Sequence, residues 1–133
     1  MAKRQIICDT DVLIDYWDNT QLRHSATKAT LEKNIGLDYI VLSAVTKMEL
    51  MMGAGSKTEL VKINKLLNRF SIALINDAVT LKAMELLQLY RLSHGLSIPD
   101  SFIAATSMLS NLELFTYNTK DFRFISGLDL YKL

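Results

Sequence analysis

One cysteine, one proline, one tryptophan and two histidines are all that this 133-residue chain holds of those types. A lone thiol, Cys8, forms no internal disulfide, so nothing in the sequence calls for an oxidising compartment. With so few cysteines and histidines there is no zinc-type ligand set. No apolar run reaches the roughly 18 residues expected of a membrane span. Met1-Ala2-Lys3-Arg4 leads into a strand without the longer apolar region and cleavage site of a signal peptide. A cytoplasmic location away from membranes is the expectation. An excess of either charge is also missing, since 15 basic and 14 acidic residues leave a net +1. That balance neither supports nor excludes a nucleic-acid substrate, because acids gathered in one pocket leave the remaining surface more basic.

Apolar residues, by contrast, are plentiful. Half of the chain is hydrophobic and 22% is charged, enough for one packed core and too apolar for disorder. The chain contains no repeat, low-complexity tract or linker, so residues 1–133 are expected to form one domain. Gln5-Ile6-Ile7-Cys8 reads as a strand covered on both faces, followed by a short helix from Val12 to Trp17. A second helix runs from His24 to the stop signal Asn34-Ile35-Gly36. Tyr39-Ile40-Val41-Leu42 forms a second strand and passes through Ser43 into a helix closed by Gly53 and Gly55. Helical spacing continues from Lys57 to Arg69, and Ile72 to Ile75 is a third strand. Asn76 or Asp77 caps a long helix ending near Gly95; another spans Ile98 to Ser110. Glu113 to Thr116 is the fourth strand, and Leu128 to Tyr131 a fifth at the edge. Short strands alternating with helices imply βαβ units and a mainly parallel sheet.

Such sheets carry their working groups just beyond the carboxyl ends of the strands. Asp9 and Asp11 follow the first strand; Asn118 and Asp121 follow the fourth. Glu49 lies on the helix after the second strand, and Asp100 in the first turn of the last long helix. Two carboxylates about 4 Å apart repel by roughly 4 kcal/mol at an effective dielectric near 20. A cluster of them stays ionised only beside cations, and oxygen ligands suit Mg²⁺ or Mn²⁺.

Each acid also has a plainer reading. Asp9 or Asp11 can cap the helix that begins near Val12. Thr46-Lys47-Met48-Glu49 has capping-box spacing, but inside a helix better capped by Ser43. Ser97-Ile98-Pro99-Asp100 is a stronger capping box, with proline in the first turn where its missing N–H does no harm. Asn118 and Asp121 suit a turn. Cys8 reads as a small buried hydrophobe, His24 and His94 as surface or capping groups. Met48, Met51 and Met52 fill a core or a subunit interface, and Trp17 packs with Tyr16 against the domain. Lys3, Arg4, Lys47, Lys120 and Arg123 are candidate phosphate contacts at the active edge, or otherwise solvated charges.

Four segments carry a resemblance. They are Ile6-Ile7-Cys8-Asp9-Thr10-Asp11-Val12-Leu13-Ile14-Asp15; Ser43-Ala44-Val45-Thr46-Lys47-Met48-Glu49-Leu50 with Gly53; Ile98-Pro99-Asp100-Ser101-Phe102-Ile103-Ala104-Ala105-Thr106; and Phe115 to Leu128 around Asn118 and Asp121. In this order and spacing the chain resembles the PIN-domain ribonucleases, in particular the VapC-type toxins of toxin–antitoxin pairs. The resemblance implies a three-layer α/β/α sandwich around a central, mainly parallel sheet. It implies metal-dependent hydrolysis of RNA with one or two Mg²⁺ or Mn²⁺ ions. Asp9 and Asp100 match the family's metal ligands, and Glu49 its second acid. At the fourth position, where an acid is common, stands Asn118 with Asp121 three residues on. Asp121 is favoured as the contributor, with Asn118 and Asp11 auxiliary. A homodimer and a small antitoxin protein covering the pocket are implied as partners. The helices Val12 to Trp17 and Val45 to Met52 are placed to form its groove.

Two other readings remain open at this point. The first motif also resembles that of haloacid-dehalogenase-type phosphatases, where Asp9 would be a covalent nucleophile and Asp11 a general acid. A catalytically inactive PIN-like binding module is the other.

Overall fold

Ile6-Ile7-Cys8 forms the first strand, β1 (Ile6–Cys8), buried at every position. Its side chains alternate between two cores. Ile6 and Cys8 pack with Val12, Leu13, Leu31, Leu67 and Phe115, while Ile7 packs on the other face with Ala83, Leu86, Ile103 and Leu114. Strand β2 (Ile40–Ser43) divides in the same way, Ile40 and Leu42 to one side and Val41 to the other. This period-two alternation on a doubly covered sheet makes three layers.

The computed structural model describes residues 3–133. With β3 (Ser71–Ala73) and β4 (Glu113–Phe115), the sheet has the order β3-β2-β1-β4, and every pairing is parallel. One layer holds α1 (Thr10–Trp17), α2 (His24–Ala29) and α4 (Lys57–Leu67). The other holds α5 (Asp77–His94) and α6 (Ile98–Ser110). Helix α3 (Ala44–Met52) leaves the end of β2 and sends Val45 to one core and Leu50 to the other. The result is an α/β/α sandwich on a parallel sheet, as the alternating pattern predicts.

Several boundaries depart from expectation. Helix α1 begins at Thr10, two residues early, because Asp9 is its cap. Beyond Ala29 the second helix widens into π turns over Thr30–Ile35 and stops at Gly36, whose φ of +94° suits glycine. Strand β3 covers Ser71–Ala73, and Leu74 lies out in solvent. Leu128 to Tyr131 does not form a full edge strand: Leu130 makes one parallel bridge to Leu114, flanked by hydrogen bonds from Leu114 N to Asp129 O and from Tyr131 N to Leu114 O.

Register fixes where the site lies. Cys8 stands level with Phe115, and Asp9 N–H extends the ladder to Phe115 O at 2.9 Å. The first residues past β1 and β4 are therefore neighbours. Ala104 and Ala105 in α6 are fully buried, and such small residues let that helix lie close on the sheet. Its first turn, with Asp100, is brought towards the same edge.

Candidate active site

Asp9 is both a helix cap and a member of an acid cluster. Its Oδ1 accepts from Thr10 N–H at 2.8 Å, and its Oδ2 from the Thr116 hydroxyl at 2.8 Å. Both partners favour the anion, yet burial outweighs them and, with the charge of Glu49, pushes the Asp9 carboxyl up. Asp11, one residue inside α1, accepts from Tyr117 N–H at 3.0 Å on Oδ2. Its Oδ1 is buried and takes no hydrogen bond among the described residues. Burial and the adjacent charge of Asp9 raise Asp11 to about 7.

Glu49 reaches the cluster from α3. Ser43 starts that helix by accepting from Val45 N–H at 3.1 Å, and Glu49 then accepts from the Thr10 hydroxyl at 2.7 Å. The Thr46 hydroxyl stands 3.2 Å from the same Thr10 oxygen. Asp100 sits in the first turn of α6, where Ser97 Oγ accepts from Asp100 N–H at 3.2 Å and Pro99 fills the opening turn. Burial, then the charges of Asp9, Asp121 and Glu49, lift Asp100 to about 6. Its place at the positive end of a helix works the other way.

Beyond β4, Asn118 contributes its backbone rather than its amide: Asn118 N–H donates to Thr116 Oγ1 at 3.0 Å. Its side chain is exposed and makes no protein hydrogen bond among the described residues. Asp121, exposed in the turn Thr119–Asp121, is the residue of this segment whose charge acts on Asp100. Asp9, Asp11, Glu49, Asp100 and Asp121 thus form one set of mutually repelling carboxylates.

Among the described residues, no three Asp, Glu, His or Cys side chains already stand where all would ligate one ion directly. Mg²⁺ needs no such cage, since it keeps several waters and commonly takes only one or two carboxylates. The donor set fits a hard divalent cation on three counts. Its ligands are all oxygen, burial together with neighbouring carboxylate charge holds three carboxyls above their ordinary range, and Asp11 Oδ1 lacks a partner among the described residues. Cys8 adds nothing to the set, because burial and the charges of Asp9 and Asp11 hold its thiol far above its ordinary value.

Three threonines escape a reading of the sequence that looks for acids: Thr10, Thr46 and Thr116. The hint was available, since Thr10 lies between two candidate acids and Thr116 follows β4 directly, two residues before Asn118. Three expected phosphate contacts are misplaced. Lys3 lies over the Tyr39 ring, and Arg4 likewise precedes β1, at the opposite end of the sheet from Asp9. Arg123 borders a surface hollow with Glu113 and Asp129, near the start of β4. Lys47 and Lys120 remain beside Glu49 and Asp121 along the chain. His94 stacks on Phe124 at 4.2 Å, and Trp17 meets Phe70 at 6.5 Å, both packing roles.

The sequence matches the PIN domain family over residues 6–127. The chain belongs to the PIN-domain family, whose members are nucleases. A toxin–antitoxin complex from Klebsiella pneumoniae contains a chain 32% identical to this one, with a TM-score of 0.74, over 97% of this chain and 100% of that one. VapBC-1 from nontypeable Haemophilus influenzae matches at 25% identity and a TM-score of 0.74, covering 96% of each chain. VapC20 of Mycobacterium tuberculosis, a sarcin–ricin-loop-cleaving toxin, shares the fold at 14% identity and a TM-score of 0.73, over 96% of this chain and 100% of that one. These neighbours support the VapC-type resemblance read from the four motifs. No protein of curated function matches the sequence.

Proposed function

We propose that this protein is a single-domain, Mg²⁺- or Mn²⁺-dependent ribonuclease and the toxin of a toxin–antitoxin pair, acting in the cytoplasm. The observation that carries the reading is the convergence of Asp9, Glu49, Asp100 and Asp121, with Asp11, at the carboxyl edge of β1 and β4. Asp9 and Asp100 are assigned as metal ligands, Glu49 and Asp121 as further ligands or holders of metal-bound water. Asp11 and Asn118 are auxiliary. A bound divalent cation would supply Lewis acidity at the phosphate and a more acidic water.

The chain's own residues do the positioning. Thr116 and Thr10 N–H orient the two oxygens of Asp9, and Thr10 holds Glu49 beside it. Ser97 fixes the first turn of α6 and with it Asp100. Lys47 and Lys120 offer charge to the RNA backbone. A phosphatase reading leaves Glu49, Asp100 and Asp121 without work, and a purely binding module leaves the retained carboxylates and their repulsion unexplained.

Partners follow from the surface. A hollow of about 390 Å³ is lined by Ile14, Trp17, Leu50 and Ile63, with Glu49 at its edge, and suits an apolar antitoxin segment reaching the acids. Leu81, Met84 and Leu92 are exposed along α5 and suit a homodimer contact. The deciding experiment is RNA cleavage by the purified protein. Mg²⁺ or Mn²⁺ should activate it, EDTA should stop it, and Asp100→Asn should lose it while keeping the native fold. Undiminished cleavage by Asp100→Asn would refute the assignment.

A further inference from the structure

Arg23, the residue before α2, is held in an unusual way for an exposed cation. Its Nε donates to Asp15 Oδ2 at 2.7 Å. Asp15 is buried and lies one helical turn beyond Asp11 along α1. The guanidinium carbon of Arg23 sits 4.0 Å from the centroid of the Tyr117 ring. Tyr117 is itself anchored three times: its N–H donates to Asp11 Oδ2, its hydroxyl pairs with Thr27 Oγ1, and its ring meets Phe115 edge-on at 5.3 Å. Arg23 is thus clamped between the two chain segments that carry Asp9, Asp11 and Asp121.

The clamp uses Nε and one face of the guanidinium. Among the described residues, neither terminal amino group has a protein hydrogen-bond partner, and the side chain is 54% exposed against 6% for Asp15. Arg23 also lies close enough for its charge to act on Asp11. An acid pocket repels a polyanion, so a strand must be held beside it by cations fixed at its rim. A pre-ordered guanidinium meets this need at small entropic cost, and its paired amino groups match two phosphate oxygens. The stack on Tyr117 fixes the guanidinium beside the segment that bonds Asp11 as well as against α1.

We propose that Arg23 binds a phosphate of the RNA backbone next to the cleaved bond and sets the strand's register against Asp9 and Asp100. This rests on the ribonuclease reading, and the test separates the two. The double substitution Asp15→Asn with Arg23→Gln removes both charges together and leaves no unpaired carboxylate in the core. With single-stranded RNA and Mg²⁺, its KM should rise about tenfold while kcat stays within about twofold. The slope of log KM against log salt should fall by about one. Arg23→Lys alone keeps the charge without the fork, so it should keep that slope and raise KM about threefold.

Thermal melts report whether each variant folds. If the double variant is unfolded, Arg23→Lys decides, and an unaltered KM there overturns the inference. Unchanged KM and salt slope in a folded double variant overturn the inference and leave the ribonuclease standing. Absence of metal-dependent cleavage by the unaltered protein overturns both.

Discussion

Raising the pH should weaken this protein when it is stripped of metal, the reverse of what ordinary carboxylates do. Asp11 is lifted from 3.8 to about 7 and Asp100 from 3.8 to about 6, and Asp9 moves in the same direction. Each raised group binds its proton more tightly in the folded state. Its stabilising contribution is therefore complete below the ordinary carboxylate range and is lost as pH climbs through about 6 and 7. At about 1.4 kcal/mol for each pH unit, full shielding would make the loss several kcal/mol. Both side chains are only half-buried, and solvent screening reduces the total to about 2 kcal/mol. For a domain of this size that is a fall in Tm of about 8 °C between about pH 5 and about pH 8. Asp18 and Glu32 have lowered values, so their effect falls below this window and leaves it undisturbed. Calorimetric melts of EDTA-treated protein across the window measure the loss. Mg²⁺ at about a hundredfold excess over its dissociation constant should return about 2.7 kcal/mol at the upper end. Metal-free protein that is equally or more stable at about pH 8 would refute the reasoning.

Two substitutions probe how the site is supported. Thr116→Val removes the hydroxyl that orients Asp9 Oδ2 while keeping the side-chain shape; Mn²⁺ affinity should fall about tenfold, with Tm lowered by only a few degrees. Wild-type Mn²⁺ affinity by calorimetry would show that the hydroxyl is idle. Ala105→Leu forces a larger side chain between α6 and the sheet, where Ala105 is fully buried. Urea melts should show a loss of about 1–3 kcal/mol. A change below about 0.5 kcal/mol would mean that α6 does not lie as close as described.

Much of this architecture is legible in the sequence because chain direction and periodicity are local. The Ser97 cap (the side-chain half of the expected box), the Asn76 cap and the glycine stops at Gly36 and Gly95 all hold, since each rests on a few neighbouring residues. Asp9 shows where such reading falls short. Cap and cluster acid look like competing roles, yet its two oxygens serve Thr10 N–H and Thr116 separately. The Lys3 and Arg4 expectation ignored direction: residues before a parallel strand lie at the end opposite its carboxyl edge. The edge strand shrank to one bridge because Leu130 alone comes into register with Leu114. Arg23 had no signal at all. Its partners Asp15 and Tyr117 are far apart in sequence, and only β1 lying beside β4 brings them together.

Everything proposed here depends on the carboxylates at the ends of β1 and β4 acting together on a divalent cation. Titration of the metal-free protein with Mn²⁺, followed by electron paramagnetic resonance, tests that most directly. The unaltered protein should bind Mn²⁺ specifically, with Asp9→Asn and Asp100→Asn each weakening binding at least about tenfold and Asn118→Ala leaving it within about twofold. Equal Mn²⁺ binding by the unaltered protein and both aspartate variants would contradict the account.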